Sequence, residues 1–264
     1  MSWMRDLGRT GMRVSALGLG TVKFGRNTGL PHPRPFELPD ERSAADLLDL
    51  ASELGINLLD TAPAYGDSEQ RLGRLLSTRQ GRWLVCSKVG EEYADGSSQF
   101  DFSPEHTRHS VERSLRRLGI EALDLVLVHS NGEDEHIIRH MGTLEALAGL
   151  REQGLVRAIG MSTKSVGGGV LAASLCDAVM LTYNLERREE IAVLDACAAS
   201  GCAALIKKAL ASGHIPEAGA EDFVRRSMQL VFAHPATSCT VVGTLSGAHL
   251  ESNVKAAREA IQGS

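Results

Sequence analysis

An acid and a phenol stand five residues apart in Asn57–Glu69, NLLDTAPAYGDSE: Asp60 follows a short apolar run and Tyr65 lies in the loop behind it. A turn needs neither. Two further residues end apolar runs in the same way, Lys88 in VCSKVG and His129 in LVLVHS. Brought to one spot, these four groups have a chemical logic. A phenol, with a pKa of ~10, is a poor proton donor and a poor base near neutrality. A neighbouring ammonium favours the phenolate and lowers that value. A carboxylate beside the lysine keeps it charged and oriented, and an imidazole can position a carbonyl or share the proton. Such a set suits reversible protonation of an oxygen. Taken singly, an Asp after a strand is a common turn former and a buried Lys is an ion-paired structural residue. Their recurrence at successive run ends is what points to chemistry.

The elements that would position them alternate. Short apolar runs occupy 16–20, 57–59, 83–87, 123–128, 157–160, 178–182, 203–206 and 240–242. The stretches between and after them have helical character: 44–54, 69–76, 104–118, 135–152, 166–175, 188–199, 221–233 and 248–261. Ser103-Pro104 supplies an N-cap and a first-turn proline, and Pro235 lies just past a helix end. Strands alternating with helices imply parallel pairing, and eight such units in this length predict a (β/α)₈ barrel whose working face carries the C-terminal ends of the strands. An open doubly wound sheet is the alternative, but GLGTVKFG after the first run lacks the third glycine of the dinucleotide fingerprint. RDLGRTGMRV ahead of the first run reads as a β-hairpin closing the barrel floor, and residues 26–42 read as a long loop at the mouth. No linker interrupts residues 1–264, so a single domain is expected.

Bulk properties agree. In 264 residues, 43% hydrophobic and 23% charged with a net charge of −5, there is material for a sizeable core and no general basic character of the kind nucleic-acid binding needs. No apolar run approaches the ~20 residues that span a bilayer, and Met1–Arg13 does not read as a secretory signal. The five cysteines, at 86, 176, 197, 202 and 239, are odd in number, without CxxC spacing and mostly in apolar segments; they read as reduced core residues of a cytoplasmic protein.

LDTAPAYGDSE, SKVG, LVLVHS, VRAIGMST and HLESNVKAA, in that order and spacing, resemble the aldo-keto reductases over essentially the whole chain. The resemblance implies a (β/α)₈ barrel with nicotinamide dinucleotide extended across its mouth, Tyr65 as general acid, Lys88 and Asp60 tuning it, His129 orienting the carbonyl, and hydride passing to the carbonyl carbon. It implies a cofactor site formed by Gly20, Thr21 and Asp60, by Ser162 and Thr163 at the carboxamide, and by Met180 and Lys207 where relatives often carry Gln and a stacking aromatic residue. Tyr183 or Asn184 would then stand in for the missing contacts. Leu210, Ser212 and Gly213 would approach the pyrophosphate, and Gly243, Thr244, His249 and Asn253 the adenosine end. His249 and Gly243 stand where relatives often carry Arg and Lys for the 2′-phosphate. The implied cofactor is NADPH, with NADH the alternative, and the implied partner a small carbonyl compound rather than a nucleic acid or membrane. A non-catalytic dinucleotide-binding barrel and a metal-dependent barrel hydrolase are the rival classes.

Other features are expected to be structural. His136 and His140, spaced i and i+4, lack a third ligand and read as a solvated helix face, so no metal is expected. SVGGGV at 165–170 reads as entry to a helix, and Arg116-Arg117 and Arg187-Arg188 as solvated faces. The loops 23–42 and 90–103 should shape the substrate site, with Phe24, Tyr93, Phe100 and Phe102 as walls. Only 262–264 follow the last helix, so no long tail is expected over the pocket.

Overall fold

The computed structural model describes residues 2–79, 83–216 and 218–263. In chain order it runs β1 (Met4–Asp6), β2 (Arg13–Ser15), β3 (Leu17–Gly20), α1 (Val22–Gly25), α2 (Glu41–Glu53), β4 (Leu58–Asp60), α3 (Ser68–Leu76) and β5 (Leu84–Val89). Next come β6 (Glu91–Ala94), β7 (Ser97–Phe100), α4 (Pro104–Leu118), β8 (Leu123–His129), α5 (Asp134–His140), α6 (Thr143–Glu152) and β9 (Val156–Ser162). The chain closes with α7 (Val166–Leu175), β10 (Ala178–Thr182), α8 (Ile191–Ser200), β11 (Ala203–Lys207), α9 (Ala220–Phe232), β12 (Thr237–Val242) and α10 (Gly247–Gln262).

Eight strands close into a parallel barrel in the order β10-β11-β12-β3-β4-β5-β8-β9. The expected (β/α)₈ fold is therefore the observed one, and the N-terminal hairpin is present: β1 and β2 pair antiparallel, Met4 with Ser15 and Asp6 with Arg13. That hairpin closes the floor. Leu7 and Val14 are fully buried among the inward residues of the barrel. The turn at Gly8 lies so close to the start of β11 that a Cβ there would come within 2.7 Å of the Ala203 amide nitrogen.

Side chains alternate across each strand, and the two apolar clusters follow that alternation. In β8, Val126 and Val128 face the helices while Leu125 and Leu127 face the barrel axis. In β5, Val85 and Val89 face out, and Leu84 and Cys86 face in. The interior is thus a packed column of Leu, Met, Ala and Cys.

Two expectations are corrected. The single helix over 135–152 is two, α5 and α6, because Gly142 takes a left-handed conformation (φ 71°) between them. The mouth loop 90–103 contains a second hairpin, β6 and β7, joined at Asp95-Gly96 with both residues at positive φ (52° and 78°). This is the two-residue turn that Asp-Gly favours. Ser103 caps its helix as read, accepting from the His106 amide, and the helix entry expected at 165–170 is present, with Ser165 accepting from the Gly168 amide at the head of α7. The glycines that follow Ser165 allow close packing, Gly168 against Asp134 and Gly169 against Val193.

Candidate active site

The same alternation that builds the core sets the polar layer at its top. Continuing each inward row to the C-terminal strand end reaches Asp60 after Leu58, Lys88 after Cys86, His129 after Leu127, Ser162 after Ala158, Thr182 after Met180 and Lys207 after Leu205. The barrel interior therefore changes from apolar to ionisable in one step, at the face where barrel loops gather.

Lys88, 2% exposed, is the hub. Its Nζ donates to Asp60 Oδ1 at 2.6 Å, to the Thr61 carbonyl at 2.9 Å and to the Tyr65 hydroxyl at 3.1 Å. Three acceptors for three N–H bonds, one of them a carboxylate only 4% exposed, fix this lysine as an ammonium. Burial alone would lower its pKa, but Asp60 and Tyr65 outweigh that, and it stands above the ordinary lysine value. Tyr65 sits at the end of a one-turn 3₁₀ segment, Pro63–Tyr65. That turn is held by backbone contact: a Cβ on Gly25 would lie 2.3 Å from both the Tyr65 carbonyl oxygen and the Ser68 amide. Behind it, the buried hydroxyls of Thr21 and Thr61 both bond to that of Ser68, and Thr21 is also 2.9 Å from the Asp60 carbonyl that its hydroxyl can donate to. Thr21, expected at the cofactor, has its hydroxyl engaged in this scaffold.

The phenol behaves differently from the expectation. Loss of water around Tyr65 pushes its pKa up to about 12; Lys88 opposes the rise and Asp60 adds to it. The ammonium thus limits the shift without reversing it, and the phenol is fully protonated at neutral pH. His129 stands edge-on to the Tyr65 ring, 6.3 Å between centroids. Burial lowers its pKa, Lys88 and Lys207 add to that, and Glu91 acts against it, so the ring is neutral near pH 7. Glu91 was not anticipated. It opens the β6–β7 hairpin and puts Oε2 2.8 Å from His129 Nδ1. The Asp-Gly turn in the sequence carried the signal for that hairpin.

On the far side of the mouth, Lys207 Nζ donates to Ser162 Oγ at 2.8 Å and to the Thr163 carbonyl at 2.7 Å. No carboxylate pairs with it among the described residues; burial, with Lys208, Lys88 and Lys164 nearby and only Glu190 opposing, brings its pKa down to about 7. Thr163 Oγ1 is buried without a partner. Met180 is 2% exposed inside the barrel column. Asn184 is committed elsewhere: its amide donates to the Lys208 carbonyl and its oxygen accepts from Glu186 and Arg187. Lys208, Ala211, Ser212 and Gly213 all have positive φ, three of them non-glycine, which marks the loop carrying Leu210 as strained. Gly243 is exposed, and a Cβ there would meet only the Gly20 carbonyl at 3.5 Å. Thr244 is half-buried and His249 exposed at the head of α10, where Ser246 caps the helix, and Asn253 is buried one turn further on.

This side of the mouth fits a dinucleotide. It offers an unpartnered buried hydroxyl at Thr163, the cations Lys164 and Lys208, neither in an ion pair among the described residues, bare backbone at Gly243, and a capped helix N-terminus suited to phosphate. Of the expected substrate walls, Phe24 is instead fully buried in the core. Phe100 and Phe102 stack on each other at 6.0 Å, and Tyr93 lies beneath the Arg26 guanidinium, 3.4 Å from its ring centre. Arg117, expected to be solvated, pairs at 3.2 Å with Glu69, which is wholly buried. His136 and His140 are exposed, and among the described residues no group of three metal-ligating side chains occurs. No helix there is long and apolar enough to cross a membrane. All five cysteines are buried and free.

Comparison with known proteins converges on one family. The model of the Aldo/keto reductase family matches residues 16–231. A crystal structure from Pseudomonas aeruginosa, itself provisionally assigned as an aldo-keto reductase, is 49% identical, covers 98% of this chain and 95% of its own, and superposes with a TM-score of 0.89. An aldo-keto reductase from Bacillus halodurans in its holo form is 25% identical over 100% of this chain and 96% of its own, with a TM-score of 0.78. L-galactose dehydrogenase of Arabidopsis thaliana is 34% identical over 60% of this chain and 48% of its own. The chain spans about half the length of the first curated relatives it matches.

Proposed function

This chain belongs to the aldo/keto reductase family, and from that premise we propose that it is an NAD(P)H-dependent oxidoreductase that interconverts a small carbonyl compound and its alcohol, with Tyr65 as the proton donor and acceptor. The observation that carries this reading is the single ammonium shared by Asp60 and Tyr65 at the top of the barrel.

When bound, the nicotinamide cofactor supplies the hydride. Ser162, Thr163, Lys207 and Gly20 would hold its nicotinamide end, Leu210, Ser212 and Gly213 its pyrophosphate, and Gly243, Thr244, His249 and Asn253 its adenosine end. NADPH is the proposed cofactor.

The chain's own residues handle the proton. With its pKa at about 12, Tyr65 keeps its proton until the substrate oxygen becomes strongly basic, and then releases it. The phenolate that results lies 3.1 Å from the Lys88 ammonium. Asp60 keeps that charge in place. His129 stands beside Tyr65 to position the reacting oxygen. The approach is bordered by Glu91, Arg26 and Tyr93, a polar margin that suits a hydroxylated aldehyde, as an aldose is. The relative named L-galactose dehydrogenase is in keeping with that class. Residues 1–264 would act as one barrel domain, and five reduced cysteines suit work in the cytoplasm.

The test is Tyr65→Phe. Reduction of a panel of small aldehydes and sugars should fall by ~10²–10⁴, while NADPH binding followed by fluorescence stays within about twofold of the wild type. Turnover equal to wild type removes Tyr65 from the mechanism. Cofactor binding by the wild type without turnover on any carbonyl would favour a non-catalytic nucleotide-binding barrel instead.

A further inference from the structure

We propose that Glu91 is a positioning residue that holds His129 as the Nδ1–H tautomer, so that Nε2 presents a lone pair, not an N–H, to the substrate at neutral pH. The inference rests on the oxidoreductase reading above for its consequence, but not for its test.

His129 ends the inward row of β8 and Glu91 begins the hairpin folded over the mouth. The fold-back comes from Gly90, at φ 101°, whose Cα is covered so closely by Phe102 that a Cβ would come within 2.4 Å of its ring. Glu91 is then fixed from its other oxygen, which accepts from Ser98 Oγ at 2.5 Å. The two side chains are 18% and 11% exposed and meet at 2.8 Å through Nδ1 and Oε2. The contact is close but falls outside in-line hydrogen-bond geometry, so the carboxylate acts on Nδ1 through its charge at short range.

The chemistry follows from what each group can do. His129 and Ser98, with Arg26 beside them, hold the Glu91 carboxyl at about 2, below the usual range, although burial works against it. Glu91 is therefore ionised at working pH, and an ionised carboxylate only accepts. The nitrogen facing it must carry the proton, and in a neutral ring the other nitrogen then has none. The remaining charged or titratable groups facing His129 are Lys88 from β5, Lys207 from β11 and Tyr65 from the turn after β4; none accepts from Nδ1. In this state His129 accepts from the hydroxyl of an alcohol substrate. Once protonated, it donates from Nε2 to a carbonyl oxygen while Glu91 neutralises the charge. The pair therefore biases the site toward alcohol oxidation at higher pH and carbonyl reduction at lower pH. The switch belongs to His129 and is distinct from the Tyr65 proton.

The experiment is ¹⁵N NMR of histidine-labelled protein without cofactor or substrate, with the His129 signal assigned by its loss in His129→Asn. The wild type should show a protonated Nδ1 and an unprotonated Nε2 above the titration midpoint. In Glu91→Gln the tautomers should mix, and the imidazolium midpoint should fall by about 1–3 units, the usual effect of losing an opposite charge at this distance. The low-pH limb of the reduction profile should move with it. A wild-type ring protonated on Nε2, or the same midpoint in both proteins, overturns the assignment. The wild-type tautomer alone decides if Glu91→Gln does not fold. Failure of the Tyr65→Phe test would leave this spectrum unchanged, so the two readings fail separately.

Discussion

Replacing Lys88 by Met removes one charge and strands three acceptors. Asp60, 4% exposed, loses the ammonium 2.6 Å away, and the Thr61 carbonyl and Tyr65 hydroxyl lose their donor. Breaking a buried pair from one side leaves an uncompensated charge and costs ~3–5 kcal/mol, a large part of the ~5–15 kcal/mol that holds a typical domain. At roughly 2–4 °C per kcal/mol, the melting temperature should fall by about 6–20 °C. The double variant Lys88→Met/Asp60→Asn removes both charges and should regain most of that loss, because replacing a whole buried pair by neutral groups is often near-neutral. Folding raises the Lys88 pKa, so the pair's stabilisation is complete below the ordinary lysine value and is lost only as pH climbs through the folded one. Urea unfolding at pH 7 therefore captures all of it. Carbonyl reduction should be down by ~10²–10⁴ in both variants, because neither has the charge that steadies the Tyr65 phenolate. Stability that returns while activity does not separates the two roles. A Lys88→Met protein as stable as wild type, or losses in Lys88→Met and in Asp60→Asn alone that simply add in the double variant, would refute this coupling.

Gly25→Ala should destabilise by ~1–3 kcal/mol or more and depress turnover, because the new methyl would sit 2.3 Å from backbone atoms of Tyr65 and Ser68, which cannot step aside. Gly149→Ala, in α6 with nothing within 4 Å, is the control and should gain roughly 0.5–1 kcal/mol; thermal melts that rank the two alike would contradict the packing argument. Lys207 titrates at about 7 when folded, so between that value and ~10.4 the unfolded chain binds the extra proton and stability rises with pH. Lys207→Met should flatten that rise in a urea series from pH 7 to 10, and matching slopes in the two proteins would count against a depressed lysine.

How much of this was open to reading depends on which physical quantity each feature needs. Period-two alternation carries Asp60, Lys88 and His129 to the barrel axis, and alternation is written in the residues themselves. Tyr65 came from its fixed offset behind Asp60, in a turn too short to wander. The break between α5 and α6 needed only the weight of Gly142, and the β6–β7 hairpin only that of Asp95-Gly96; both signals were local and were outvoted by longer patterns. Thr21 and Asn184 are another case. Their residue types suit ligand binding, but the Thr21 hydroxyl goes to Asp60 and Ser68 and the Asn184 side-chain N–H to Lys208, partners distant in sequence that only the closed barrel supplies.

The Tyr65 hydroxyl shows where sequence reasoning has to stop. A lysine near a phenol predicts a lowered pKa, and Lys88 does pull in that direction, yet the net shift is upward. The identity of a neighbouring charge can be inferred from a motif, but the water removed from around the group cannot. The Pro63–Tyr65 turn sits at the top of the apolar barrel column and against the Glu91 strand, surroundings that only the folded barrel assembles. The consequence for mechanism is concrete. A phenol tuned downward would lose its proton early and serve mainly as a base, whereas one held at about 12 stays protonated until the substrate oxygen demands it. In the proposed reaction, such a Tyr65 would respond to charge that develops during hydride transfer, and Lys88 would stabilise the phenolate once the proton has left.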